Sequence, residues 1–378
     1  MTHRSVSRVV LGALALVIAG MGVARAQDEI FVSNSGGNSV TVYARTATGD
    51  PPLRAISGAA TGLNVPEGVA VDLVNNELIV ANLLGNSVTI FSRTATGNVA
   101  PLRTISGALT TLNQPIGVAV DTVNNEIYVV NGPVSGSVVV FPRTATGNVA
   151  PTRTFSGFNA PSGISLDLVN NEIAVANSNG NTISVFARTG GPLLRSIGGP
   201  STGISAPIDV AIDAVNNEIV VSNTIGITAT VYSRTANGNV APLRTINLGF
   251  QSEGVIVDPV NNEISLVALN NFVATYARTA SGAAAPLRVL NSASFSGTRF
   301  AAITLGVPVT PTVGLTATPT TVPTTTPTVV VSATPDPTPT GTGGPAAGIV
   351  VPTLDVRGIV AFGVLLAGAG YLALRRRS

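Results

Sequence analysis

The chain of 378 residues contains no cysteine and no tryptophan. Lysine is missing as well, so every strong cation is an arginine, and the single histidine is His3. Each gap removes a class of chemistry. Without cysteine there are no disulfides and no thiolate nucleophile. Without lysine there is no Schiff base. His3 lies in "MTHRSVSRVVLGALALVIAGMGVARAQ", where Arg4 and Arg8 precede an apolar run and "ARA" precedes Gln27. That is the layout of a secretory signal peptide over residues 1–26. Cleavage after Ala26 leaves a mature chain with no histidine, which excludes a Ser-His-Asp triad and a His-ligated zinc. An exported chain without disulfides must rest on a packed core, which several hundred residues can supply.

Charge is sparse too, at 10% of residues, and the basic pI of about 9.4 misleads. Much of the excess comes from Arg4, Arg8, Arg25, Arg357 and the terminal Arg375, Arg376 and Arg377, whereas residues 28–306 hold 13 Arg against 16 acidic residues. No concentrated basic face is left for phosphates, so nucleic acid is not an expected partner.

What the chain does have is a repeat. "VDLVNNELIVAN" at residues 71–82 returns as "VDTVNNEIYVVN", "LDLVNNEIAVAN", "IDAVNNEIVVSN" and "VDPVNNEISLVA". Glu29, Glu77, Glu126, Glu172, Glu218 and Glu263 mark six copies at spacings of 48, 49, 46, 46 and 45 residues. Within a copy the apolar pattern has period two and is rich in Val and Ile, which predicts strands. In residues 68–107 "GVAVD", "ELIVAN", "SVTIFSR" and "PLRTISG" read as four antiparallel strands. "LVNN" is the turn between the first two, with Asp72 binding nearby amides and an Asn in the left-handed region. The Glu after the turn is expected to face the Arg ending the third strand of its own copy: Glu29 with Arg45, Glu77 with Arg93, Glu126 with Arg143, Glu172 with Arg188, Glu218 with Arg234, and Glu263 with Arg278.

A four-stranded unit of this length cannot bury both faces alone, and packing six such sheets around an axis gives an all-β, six-bladed β-propeller over residues 27–306. The first copy begins at its second strand, "EIFVSN", and the last ends in "RFAAITLG". Phe300 to Thr304 are therefore expected to supply the missing innermost strand of the first blade, which removes an open edge. "PIGVAVDTVNNEIYVVN" followed by "SVVVF" resembles the NHL-repeat and YVTN-type propellers of secreted and cell-surface proteins. That resemblance implies a scaffold, a protein or carbohydrate binder, or a metal-dependent lactonase of the gluconolactonase type, and does not choose among them.

The "VNN" turns and "RTATGNVAP" loops recur nearly unchanged on one face, while the loops of the other face vary, so a binding site is expected on the varied face. Near the channel mouth there, Glu67, Asp209, Glu253 and Arg299 depart from neutral residues of other copies, and Asp209 replaces the Gly found at 68, 117, 163 and 254. Asn34, Asn82, Asn131, Asn177 and Asn223 end five second strands, with Ala268 in the sixth. No resident cofactor is required, although carboxylate and amide oxygens gathered on one axis could hold Ca²⁺. The Asn residues serve equally well as strand-end caps. Glu67, Asp209 and Glu253 would have to carry any hydrolysis, and nothing in their spacing demands that they meet.

Past Gly306 a Thr/Pro tract over residues 307–350 reads as a disordered stalk, up to ~130 Å long if extended as polyproline II. Residues 351–378 close the chain with Pro352, Thr353 and Leu354, a short apolar stretch at 358–374, and Arg375, Arg376 and Arg377. That order resembles the IPTL-CTERM sorting signals, relatives of PEP-CTERM, with Val351 in place of Ile and "DVRG" in place of the "EWG"-like segment. The resemblance implies a brief transmembrane helix with cytoplasmic arginines, handled by an exosortase-type membrane transpeptidase. The expectation is a monomeric, exported display or binding module at the cell surface, anchored at least transiently in the membrane, with a glycan, peptide or protein ligand.

Overall fold

The computed structural model describes residues 28–132 and 136–304. The leader, the Thr/Pro tract and the C-terminal sorting signal expected from the sequence lie outside these residues. Among the described residues no helix is long and apolar enough to cross a membrane.

Six four-stranded antiparallel sheets make up the fold. In the second, Pro66–Asp72, Glu77–Asn82, Ser87–Ser92 and Arg103–Ser106 run from the channel to the rim. The local sequence explains each hairpin. Asp72 is fully buried, and its Oδ1 accepts the N–H groups of Val74 and Asn75, each at 2.9 Å. Asn76 completes the turn at φ 57°, and Asn125, Asn171, Asn217 and Asn262 repeat that conformation. Asn tolerates the left-handed region better than most side chains, which is why this residue type stands before the Glu in five copies.

The circle closes as the sequence predicts. Thr298–Ile303 pairs antiparallel with Glu29–Asn34, Ile30 opposite Ile303 and Phe31 opposite Ala302. Glu29 and Thr304 then bond twice, the Glu29 N–H to Thr304 Oγ1 and the Thr304 N–H to Glu29 O, each at 2.9 Å. Neighbouring sheets pack through buried Val, Ile and aromatic side chains, such as Val40, Val42 and Ile56 of the first blade with Leu78, Val80 and Phe91 of the second. The described residues form a six-bladed β-propeller whose core lies between blades rather than within any one of them.

The ion pairs differ from the in-blade expectation. Arg93 Nη1 lies 2.8 Å from Glu29 of the preceding blade, and its Nε donates to Asn76 Oδ1 of its own turn at 2.9 Å. Glu29 also takes both terminal nitrogens of Arg54, from its own outermost strand, at 2.7 and 2.8 Å. The pattern continues around the ring: Arg143 reaches back to Glu77, Arg234 to Glu172, Arg278 to Glu218 and Arg45 to Glu263. At the remaining junction Arg188 turns to Asp121, while the Tyr128 hydroxyl donates to the Arg188 carbonyl at 2.9 Å. The hairpin register does bring each Arg beside its own turn. Its side chain, however, spans the gap to the preceding blade, whose Glu is also held by the second Arg of that copy. The result is a closed belt of carboxylates and guanidiniums on the face of the "VNN" turns.

Candidate functional site

The opposite face carries the loops after the second strands and those leading into the first. Bonds such as Val65 N–H to Asn38 Oδ1 at 2.7 Å, and Leu83 N–H to Val65 O at 2.9 Å, tie the two sets together. The channel opens on this face. Inner strands from all six blades line about 250 Å³ of space, including Gly68, Gly117, Ile164, Val210, Val255 and Phe300. Adjacent strands meet closely at the rim: a Cβ on Gly117 would lie 2.3 Å from Ser162 O, so that position requires glycine.

At the mouth the structure brings three of the four predicted residues together. Arg299 Nη1 lies 3.3 Å from Glu253 Oε2, and its Nε lies 3.6 Å from Glu67 Oε1. Glu67 and Glu253 stand at corresponding positions of the inner strands Pro66–Asp72 and Ser252–Asp258. Arg299, on Thr298–Ile303 between them, is therefore flanked from both sides. Apolar walls from Leu83, Ile116, Ile208 and Phe300 complete a recess of about 290 Å³. Burial pushes the Glu67 carboxyl up to about 7; Arg299 opposes the rise and Glu253 adds to it. The Glu253 carboxyl is raised as well, by burial first, with Arg299 pulling the other way.

Asp209 stands apart from this group, deeper in the channel wall. Its two oxygens accept the N–H groups of Val210 and of Val255 in the next blade, each at 2.9 Å. Burial raises its pKa to about 7 against the pull of those two bonds. Its replacement of glycine stitches the inner strands of two blades.

The terminal Asn residues are spoken for in the same way. The Oδ1 of Asn82, Asn131, Asn177 and Asn223 accepts the N–H of Asn64, Asn113, Asn159 and Ser205, at 2.9 to 3.3 Å. Their Nδ2 groups donate within the blade, as from Asn82 to Thr89 Oγ1 at 3.1 Å. These oxygens cap loops, and Arg299 stands between Glu67 and Glu253 where an added cation would meet a like charge. Among the described residues no three Asp, Glu, His or Cys side chains come together as a metal-binding group.

Sequence reasoning missed the apolar walls of the mouth, because Leu83, Ile116 and Ile208 lie in loops or strand starts that carry no periodic signal. It also missed the second row of arginines, Arg54, Arg103, Arg153, Arg195, Arg244 and Arg288, although "PLR" recurs in four of the six copies. Recurrence of a charged residue on a strand predicted to be half-buried was the available clue.

No family model matches the chain, and no curated protein matches it. Among solved structures, the fold is similar to that of a chain in the crystal structure of a nidogen/laminin complex, at TM-score 0.55 and 13% identity, covering 74% of this chain and 99% of that one.

Proposed function

We propose that this protein is an exported, non-catalytic binding module, displayed at the cell surface or in the extracellular matrix and delivered by its C-terminal sorting signal. The observation that carries the reading is the convergence of Glu67, Glu253 and Arg299 in an apolar-walled recess at the face whose loops differ most between copies. A concave site with few convergent polar groups suits recognition of a ligand. With one guanidinium between two carboxyls of raised pKa, the recess fits a polar group of low net charge, such as a sugar hydroxyl cluster or a peptide amide. The similarity to a propeller crystallised in the nidogen/laminin complex supports an extracellular binding role. The NHL-type and IPTL-CTERM resemblances support export and sorting.

Two experiments test this reading. Glycan-array and pull-down profiles of the full-length chain are expected to lose their positives in the triple variant Glu67→Ala, Glu253→Ala, Arg299→Ala; unchanged profiles refute the mouth as the site. Protease shaving of intact cells, with mass spectrometry of the released protein, is expected to find the propeller outside and a new C-terminus near Pro352 to Leu354. A protein found only inside the cell refutes display.

A further inference from the structure

The outermost strand of a blade presents unpaired N–H and C=O groups, a template on which another chain can add a strand. This ring covers those edges with its own sequence. The loop between the third and fourth strands of the second, third, fifth and sixth blades runs up the outside of the preceding blade and pairs with it. Gly97 donates its N–H to Ala55 O at 2.6 Å and accepts the Ser57 N–H at 3.1 Å. Gly147, Gly238 and Gly282 make the same two bonds to the edges containing Thr104, Ser196 and Thr245. The covering segment reads Ala-Thr-Gly-Asn-Val or a close variant. In blades where it is complete its Ala and Val pack on the core, as Ala95 with Val99 and Ala236 with Val240 do. The Oδ1 of Asn98, Asn148 and Asn239 accepts the N–H of Ala60, Leu109 and Ser201 at 2.7 to 2.8 Å. The sixth blade is covered by a modified form, in which Thr48 O accepts the Asn291 N–H at 3.2 Å and Asp50 accepts the Ala293 N–H at 2.7 Å.

The third blade differs. Its cover should come from the stretch between Arg188 and Arg195, but that stretch is "TGGPLL", six residues, where Arg93 to Arg103 encloses nine. The edge strand Arg153–Phe155 is left bare. Thr154 and Ser156 are exposed, and by the shared register the Thr154 carbonyl and the Ser156 N–H point outward as those of Ala55 and Ser57 do. Among the described residues neither has a backbone partner on that side. A Cβ on Gly58, Gly107 or Gly199 would press on the covering Asn at 2.5 to 2.6 Å, whereas one on Gly157 would meet nothing within 4 Å. A groove of about 400 Å³ occupies the place of the missing segment, floored by Phe155 and Phe186 and walled by Gly190, Gly191 and Pro192. Phe155 and Phe186 meet edge to face at 5.8 Å, which fills only part of the volume.

We infer that this groove is a docking site for an extended, uncharged peptide segment of a partner protein, with the pattern Ala-Thr-Gly-Asn-Val, which adds as a strand along Thr154 to Gly157. The chain supplies the template for this ligand, since the same segment fills the equivalent place on other blades. Main-chain pairing provides the register and the small side chains fit the groove. A charged segment is disfavoured because the one ion at the edge, Arg153, is already held by Glu126. This inference rests on the edge alone and is independent of the reading of the channel mouth.

The test is hydrogen exchange of the full-length chain with the capped heptapeptide Ala-Thr-Gly-Asn-Val-Ala-Pro at millimolar concentration. Exchange at the Ser156 amide is expected to slow about tenfold, with Ser57 and Ser106 unaffected because their edges are covered. A variant with residues 190–193 replaced by Ala-Thr-Gly-Asn-Val-Ala-Pro, which restores the nine-residue spacing, is expected to show the protection without peptide and no further response to it. Absence of protection in the natural chain overturns the inference. So does an equal response to a peptide with Pro in place of the central Gly, which has no N–H to donate. Protection that rises with protein concentration in the absence of peptide also overturns it, assigning the edge to a second copy of the chain.

Discussion

The belt predicts which arginine belongs to which glutamate, and the two assignments differ enough to be measured. Glu29 is nearly sealed from solvent, with its side chain 4% exposed, and Arg93 is 16% exposed. Replacing Glu29 by Gln leaves two guanidiniums without their carboxylate. Loss of one partner from such a buried pair costs about 3–5 kcal/mol. Replacing Arg93 by Met is milder, because Arg54 still holds Glu29 through two bonds; it removes the bond to Asn76 and, from Glu29, one charge-assisted hydrogen bond worth about 1.5–3 kcal/mol. A double-mutant cycle on Glu29 and Arg93 should therefore return a coupling of about 1.5–3 kcal/mol. The matching cycle on Glu77 and Arg93, residues of one blade that share no hydrogen bond or ion pair, should return less than about 0.5 kcal/mol. Denaturant unfolding of the four variants in each cycle is the assay. A larger coupling for Glu77 with Arg93 than for Glu29 with Arg93 would refute the inter-blade belt.

Other outcomes follow from the same contacts. Glu67 holds its proton more tightly folded, at about 7, than at its ordinary value of 4.5, so stability is full below pH 4.5 and falls as pH rises toward 7, by about 3 kcal/mol from this group; melting curves of Glu67→Gln should lose that part of the slope. The Arg244 hydrogen bond holds Glu218 below its ordinary value, and the Arg288 bond does the same for Glu263. These two contribute stability above pH 4.5 that is lost as pH falls through their lowered pKa, so melting temperature should peak in mildly acidic solution. Gly117→Ala drives a Cβ against Ser162 O and should cost about 1–3 kcal/mol by calorimetry. Phe300→Ala, in the strand that closes the ring, should cost about 3–5 kcal/mol and raise exchange first at the amides of residues 29–34.

Much of the fold was legible because its determinants are local. An Asp, two Asn and a Glu fix a hairpin wherever they stand, and period-two apolar runs fix which face is buried, so strand order and ring closure follow from counting copies. The partner of each belt arginine was not legible. Register places Arg93 beside Glu77 along the chain, and only the packing of one twisted sheet on the next decides that the guanidinium reaches Glu29 instead. At the mouth, departure from the repeat marked Glu67, Glu253 and Arg299, yet the same signal marked Asp209, whose carboxylate binds backbone amides. A break in a pattern shows that a position has its own task and leaves the kind of task open. The uncovered edge was written in the sequence as a loop three residues short, but its meaning depends on knowing that the longer loops lie over the neighbouring blade.

The pair of hydrogen bonds between Glu29 and Thr304 marks where force enters the ring. Both ends of the described chain leave the ring at this one point, on the side away from the channel mouth. A pull applied through the C-terminal end, against a ligand gripped at the mouth, runs along the axis of Thr298–Ile303. Its hydrogen bonds to Glu29–Asn34 would then be loaded all at once in shear, rather than opened one after another from a free end. Tension applied at that end strains the seam in the direction in which it is strongest.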